Sequence, residues 1–388
     1  MATHSLPGTA ECVIIGGGVV GCSLAYHLAR DGVRPLLLER GSLGEGSTAR
    51  CAGGVRQQFA TEVNVRVGMM SMRMLERFPE ELGATADLRQ VGYLFVASSA
   101  EEQEQFARNV EMQRAVGLRD VQLLDVEGVR ALVPELRTDD LYGGSFCPSD
   151  GLAGPNEVTA GYAGAARRAG ALIVEGCEVS EVLRSGGRVT GVRTADGATV
   201  SAPLVVNCAG PYAALVGRMA GVELPVRPFR RHIFVTEPFA LSRRPAPMTV
   251  DFRTSFYFHE EGAGLLLGMS DPDEPTSFDT SVSWDFLEHL IEHATWRLPV
   301  LDRAEIHTGW AGLYEVSPDN QAIAGESPAL PGFWLCCGFS GHGFMQAPAM
   351  GALLADLILA RPPAIDLIPF SPARFGDGGA LIPEEVVV

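Results

Sequence analysis

The residues whose types and spacing most directly imply chemistry are three glycines in Gly16-Gly17-Gly18-Val19-Val20-Gly21, with an acidic residue, Glu39, following Gly21 after eighteen positions. Gly-x-Gly-x-x-Gly needs one glycine for a tight turn, one for close approach to a pyrophosphate, and one for packing a helix on a strand. A helix starting on such a turn aims its free amides at phosphates. With 45 glycines in 388 residues, three specified glycines arise by chance about 0.6 times, so context must carry the inference. Here the turn joins an apolar strand, Cys12-Val13-Ile14-Ile15, to a helix with Val20, Leu24 and Leu28 on one face. Glu39 ends the next apolar strand, Leu36-Leu37-Leu38, where a ribose hydroxyl would meet its acceptor. The pattern is that of a dinucleotide site, and the carboxylate disfavours a 2′-phosphate by like-charge repulsion.

Two other clusters invite chemistry and are read as ordinary. His289-Leu290-Ile291-Glu292-His293 fits the H-x-x-E-H zinc pattern, but Phe286, Leu287, Leu290 and Ile291 make that stretch an amphipathic helix without a third ligand, and no metal is expected. Arg230-Arg231-His232 at a strand start reads as a solvated cluster. Net charge is −17, from 30 Lys and Arg against 47 Asp and Glu, which excludes a basic nucleic-acid footprint. Eight cysteines contain no Cys-x-x-Cys pair, and the start has neither a basic n-region nor an apolar h-region. No apolar run approaches the ~20 residues of a membrane helix, so the expectation is a cytoplasmic protein without a membrane span.

These residues have to be positioned by a large α/β scaffold. Residues 10–39 form a βαβ unit, a helix spans about Glu62 to Phe78, and a charged helix Glu101 to Val116 sits among short strands from about Val91 to Phe146. Helix and strand then alternate through 155–208, with strands Leu172 to Glu175, Val179 to Leu183 and Leu204 to Val206 and a hairpin turning at Asp196-Gly197. A strand-rich stretch, 227–314, contains one amphipathic helix near Trp284 to Leu298. Phe333 to Cys337 reads as a strand, Gly338 to Gly343 as a glycine-rich turn, and Phe344 to Leu359 as a buried helix. The last dozen residues carry no packing signal.

Four segments together resemble the D-amino-acid oxidase superfamily of flavoproteins, in its sarcosine oxidase, dimethylglycine dehydrogenase and β-subunit proline dehydrogenase branch. They are the glycine turn; Gly46 to Arg56; Val205 to Pro211; and Trp310 to Asp319 paired with Gly338-Phe339-Ser340-Gly341-His342-Gly343-Phe344. The resemblance spans roughly residues 10 to 375. It implies FAD in a discontinuous Rossmann-type domain of residues 10–90, 147–226 and 315–375, beside an antiparallel-sheet substrate domain of 91–146 and 227–314, with 376–388 as a tail. The implied cofactor shell is Gly16, Gly18, Val19, Val20, Gly21, Glu39, Arg40, Ser47, Thr48, Ala52, Gly53, Val179, Ala209, Gly210, Gly312, Gly338, Gly341, His342, Gly343 and Phe344. The turn before Phe344 would set a second helix amino terminus against the reduced flavin's negative charge.

The same resemblance implies Arg56 as the partner of a substrate carboxylate, whose two oxygens suit a guanidinium fork. Tyr314 corresponds to a substrate-side tyrosine, though it also reads as a core aromatic. Tyr257 and His259, two apart on one strand, would face the flavin together, and Met345 stands where relatives carry a carboxylate-binding lysine. Gly312 replaces a flavin-linking cysteine, so FAD is expected to be non-covalent. Leu266 replaces an oxygen-activating lysine, which favours an acceptor other than oxygen. The implied reaction is oxidation of the carbon–nitrogen bond of an amino acid or N-alkyl amino acid. Two other roles fit the family: an FAD-binding assembly factor, and the catalytic subunit of a multimeric amine dehydrogenase passing electrons to a protein acceptor. The oligomeric state is left open.

Overall fold

A computed structural model describes residues 6–242, 244–376 and 381–387. The opening strand, Cys12–Ile15, is buried along its whole length and lies parallel between Pro35–Leu38 and Val205–Asn207. Leu172–Val174 and Phe333–Cys337 extend this parallel sheet, and Ile323–Glu326 closes one edge antiparallel. A sheet covered on both faces explains why its strands are continuous apolar runs rather than alternating ones. The helix Val19–Arg30 packs between Pro155–Arg168 and the carboxyl-terminal helix Gly343–Ile358. Gly351 permits that approach, because a Cβ there would stand 2.3 Å from Ser23 Oγ.

An eight-stranded sheet makes the other half. Its order is Ile306–Val316, Arg227–Thr236, Gly264–Met269, Tyr257–Glu261, Met248–Asp251, Tyr93–Ala97, Gly143–Cys147 and Gln122–Leu124. Neighbours are antiparallel except Met248–Asp251 beside Tyr93–Ala97, which run parallel. Alternation sorts its side chains. Phe234, Phe258, Leu267 and Leu94 pack with Phe286 and Leu290 of the helix Trp284–Arg297. Ile233, Tyr257, Leu266 and Phe95 form a separate cluster on the opposite face.

The expected hairpin at Asp196-Gly197 is present: Arg188–Thr194 pairs antiparallel with Thr199–Ser201 and, on its other side, with Val179–Ser185. One expectation changes, because the last residues are not free of packing. Glu384 is fully buried, and Val386 joins the cluster of Tyr93, Phe95 and Tyr257. A lone valine after a glutamate has no periodicity, so no local signal marks it.

One buried ion network ties the helix Trp284–Arg297 to the sheet. Arg297, 2% exposed, donates to Asp251 Oδ2 at 2.6 Å, to Asp140 at 2.8 and 2.9 Å, and to the Arg137 carbonyl at 2.7 Å. Arg297→Met leaves the buried Asp251 unpaired and is expected to lower unfolding free energy by about 3–5 kcal/mol, read as a shift in urea midpoint. An unchanged midpoint would remove the network from the account of this half's stability.

Candidate functional site

The glycine turn is built as its spacing requires. Gly16 has φ +111°, and a Cβ on it would stand 2.3 Å from the Cys208 carbonyl oxygen of the neighbouring strand. A Cβ on Gly21 would meet the Gly16 carbonyl oxygen at 2.0 Å, so any side chain there separates helix from strand. Glycine at position 18 offers the helix start no side-chain cap; Thr48 Oγ1 accepts from Val19 N at 3.2 Å instead. Glu39 accepts from Gly17 N at 2.6 Å and Gly41 N at 2.8 Å, which fixes its carboxylate beside the turn.

This turn lies along one wall of a cavity of about 450 Å³. Gly16, Gly18, Val19, Val20, Glu39 and Arg40 line it, followed by Ser47, Thr48 and Ala52 from the next loop. Val179, Ala209 and Gly210 line it as well, with the Arg40 guanidinium 3.7 Å over the Tyr212 ring. Gly312, Gly341, Gly343, Phe344, Tyr257 and Tyr314 also line it. Two helix amino termini and a carboxylate acceptor on one cavity are a donor set that fits a dinucleotide such as FAD.

Glycines also make room for the aromatic wall. A Cβ on Gly268 would fall 2.2 Å from Tyr257 Cζ, and one on Gly341, at φ +95°, would fall 2.4 Å from the Tyr314 ring. Burial pushes both phenols up, so they stay protonated as hydrogen-bond donors. Glu315, next in sequence, accepts from Gly338 N at 2.8 Å, and burial pushes its carboxyl up to about 7.

Other expected residues sit behind the cavity rather than on it. Gly21, Gly53 and Gly338 act through backbone packing; Gly53 takes φ +73° with its carbonyl accepting from Ala153 N. His259 is buried, its Nε2 2.9 Å from the Ala52 carbonyl and its Nδ1 2.8 Å from the Glu260 carbonyl, so it clamps the cofactor-side loop to the sheet. Met345 packs in the main core of the nucleotide half. The resemblance implies the three glycines as cofactor contacts and His259 and Met345 as active-site residues, and position within a segment does not report which atoms a side chain reaches.

Arg56 is 2% exposed and lies over the faces of Phe59 and Phe95. It donates to the Gln58 carbonyl and, at 2.6 Å, to the Val386 carbonyl of the tail, while its Nη2 stands 3.0 Å from His342 Nε2. Burial and the Arg56 charge hold His342 well below the usual imidazole range, so it is neutral.

The Arg230-Arg231-His232 cluster departs from its reading as solvated. Arg230 pairs with Glu274 at 3.0 Å and Asp279 at 2.6 Å, and His232 is buried, accepting from Ser283 N at 3.0 Å. Arg231 lines the cavity. Alternation along a strand was the available signal: three consecutive polar residues cannot all face water on a sheet buried on both sides. Arg50, Cys51 and Glu315 also line the space.

Against this geometry, a family model described as FAD dependent oxidoreductase matches residues 11–357. Human mitochondrial sarcosine dehydrogenase is 34% identical over 394 aligned positions covering 96% of this chain. This chain spans 42% of that relative's length. Glycine oxidase of Geobacillus kaustophilus is 29% identical, covering 94% of this chain and 97% of its own. Among solved structures, L-proline dehydrogenase from P. horikoshii superposes with a TM-score of 0.89 at 34% identity, covering 95% of this chain and 98% of that one.

Gly16→Ala should yield protein without bound FAD, read as loss of visible absorbance after purification, since the Cys208 carbonyl has nowhere to retreat within the sheet. Retention of wild-type FAD content would remove the turn from the binding account. Glu315 supplies a pH test. Its folded carboxyl holds a proton more tightly than in the unfolded chain, so folding takes up a proton between the ordinary carboxylate value and about 7. Its contribution is therefore complete at low pH and declines as pH rises through that window. Glu315→Gln should make the fall in urea midpoint across it less steep, and an identical slope would contradict the assignment.

Proposed function

The chain belongs to the FAD dependent oxidoreductase family, and on that premise we propose that it oxidises the carbon–nitrogen bond of an amino acid or N-alkyl amino acid. The observation carrying this reading is a cavity in which the glycine turns at Gly16 and Gly341 share a lining with two protonated phenols, Tyr257 and Tyr314, on a largely apolar sheet face. The reaction removes two electrons and two hydrogens from the carbon–nitrogen unit, and water hydrolyses the resulting imine to a carbonyl and an amine. Gly16, Gly18, Val19, Glu39, Gly341, Gly343 and Phe344 would hold FAD, which would supply a two-electron acceptor there.

The residues of the chain orient the substrate. Donors fixed in a site of low polarity hold an anionic group without reorganising, which sets the reacting carbon against one face of the cavity. Tyr257 and Tyr314 serve as such donors. Ile233 and Phe344 keep the space apolar and limit water. Gly312 offers no nucleophile, which supports non-covalent FAD. Leu266 is apolar and buried, so no ammonium stands there to stabilise developing superoxide, and electrons leave through an acceptor other than oxygen.

Among the described residues no helix is long and apolar enough to cross a membrane. All eight cysteines are free thiols, which supports a reducing, cytoplasmic setting. Anaerobic mixing of the holoprotein with a broad panel of amino acids and N-methyl amino acids should bleach the flavin absorbance with at least one member. If none does while a protein co-purifies, the assembly-factor role replaces this one. Reoxidation should be slow with oxygen and fast with an artificial dye; rapid peroxide formation would overturn the inference from Leu266.

A further inference from the structure

Among the arginines near the aromatic wall, Arg50 donates through Nη1 to the Ala311 carbonyl at 3.0 Å, and Arg56 and Arg231 differ in what they have left to donate. Arg56 is committed. Its Nη2 is held by the Val386 carbonyl, and the segment presenting that carbonyl is itself anchored. Glu384, fully buried, accepts from Ala60 N at 2.7 Å, Thr61 Oγ1 at 3.0 Å, Asn64 Nδ2 at 2.8 Å and Val386 N at 3.1 Å. Glu384 N donates to the Asp319 carbonyl at 2.9 Å, and Gln321 Nε2 to the Ile382 carbonyl at 3.0 Å. Val386 is packed among aromatic rings of the sheet. A ligand reaching Arg56 would have to lift this segment and break several buried hydrogen bonds.

Arg231 is uncommitted. Its Nε is buried with no hydrogen-bond partner, and its Nη1 donates at 2.9 Å to the adjacent Arg230 carbonyl. Arg230 has two carboxylates, whereas Arg231 has none at salt-bridge distance among the described residues. Register pairs Arg231 with Gly312 and Ile233 with Trp310, so Arg231 and Ile233 share the face of Tyr257 and Tyr314. Its guanidinium carbon lies 5.3 Å over the Tyr314 ring. Desolvation lowers its affinity for a proton, a cost that an incoming anion would relieve.

We propose that Arg231, rather than Arg56, receives the carboxylate of the substrate, with Ile382–Val387 remaining in place as a wall that keeps Arg56 out of reach. The inference rests on the amino-acid oxidation reading above. It adds that the acid end of the substrate points toward the strand pair Arg227–Thr236 and Ile306–Val316, with the Tyr314 hydroxyl as a second donor.

The test titrates holoprotein with benzoate and its uncharged counterpart benzamide, following calorimetric heat and flavin spectrum, alongside anaerobic reduction by whichever amino acid is active. Arg231→Met should weaken benzoate and raise the half-saturating amino acid concentration roughly 10- to 100-fold, the loss of one charge-assisted pair, without changing FAD content or benzamide affinity. Arg231→Lys should recover part of it. Glu384→Ala, which unpins the tail, should leave benzoate affinity unchanged or weaker. Wild-type benzoate affinity in Arg231→Met, loss of FAD from that variant, tighter benzoate binding in Glu384→Ala, or no benzoate binding by wild type would each overturn the proposal. If benzoate behaves as expected but no amine reduces the flavin, the proposed reaction fails while Arg231 stands as a carboxylate receptor.

Discussion

A guanidinium buried without a carboxylate at salt-bridge distance is the constraint around which the two halves meet. Removing such a charge from water costs several kcal/mol unless every donor finds an acceptor. Arg56 finds them in three separate parts of the chain: the Gln58 carbonyl, the Val386 carbonyl and His342 at the start of the carboxyl-terminal helix. The faces of Phe59 and Phe95 supply further stabilisation from the nucleotide half and the eight-stranded sheet. Beneath it, fully buried Asp150 accepts from Gln57 N and the Gln57 and Gln58 side chains, and burial pushes its carboxyl up to about 6. The loop 50–58, the glycine turn 338–343 and the tail therefore hold their relative positions partly because one cation needs all of them.

Around that centre, shape is set by missing side chains. Gly16 and Gly21 bring helix, turn and strand into contact on the nucleotide side, while Gly268 and Gly341 leave the space that Tyr257 and Tyr314 fill. The cavity is thus bounded by backbone on one side and aromatic rings on the other. Backbone amides suit a phosphate whose position must be fixed, and fixed phenols suit an anionic substrate group in a dry site.

The sequence by itself determined the nucleotide turn, its acidic partner at Glu39, the parallel strands around it and the second glycine turn. These are local: three glycines at fixed spacing, or four buried apolar residues in a row, specify a conformation without reference to distant parts of the chain. The family resemblance followed from such segments and brought FAD with it. What His259, Met345 and Arg56 touch did not follow: His259 meets the Ala52 and Glu260 carbonyls, Met345 packs in the core, and Arg56 is taken up by the Gln58 and Val386 carbonyls, so none of them lines the cavity. Only the tertiary structure brought Arg231 to the cavity on the face of Tyr314, through the pairing of Arg227–Thr236 with Ile306–Val316. Only it, too, brought Val386 across more than three hundred residues of chain to Arg56. Long-range pairing of a buried donor with a main-chain carbonyl leaves no periodicity or composition to read, since the acceptor is the same atom in every residue.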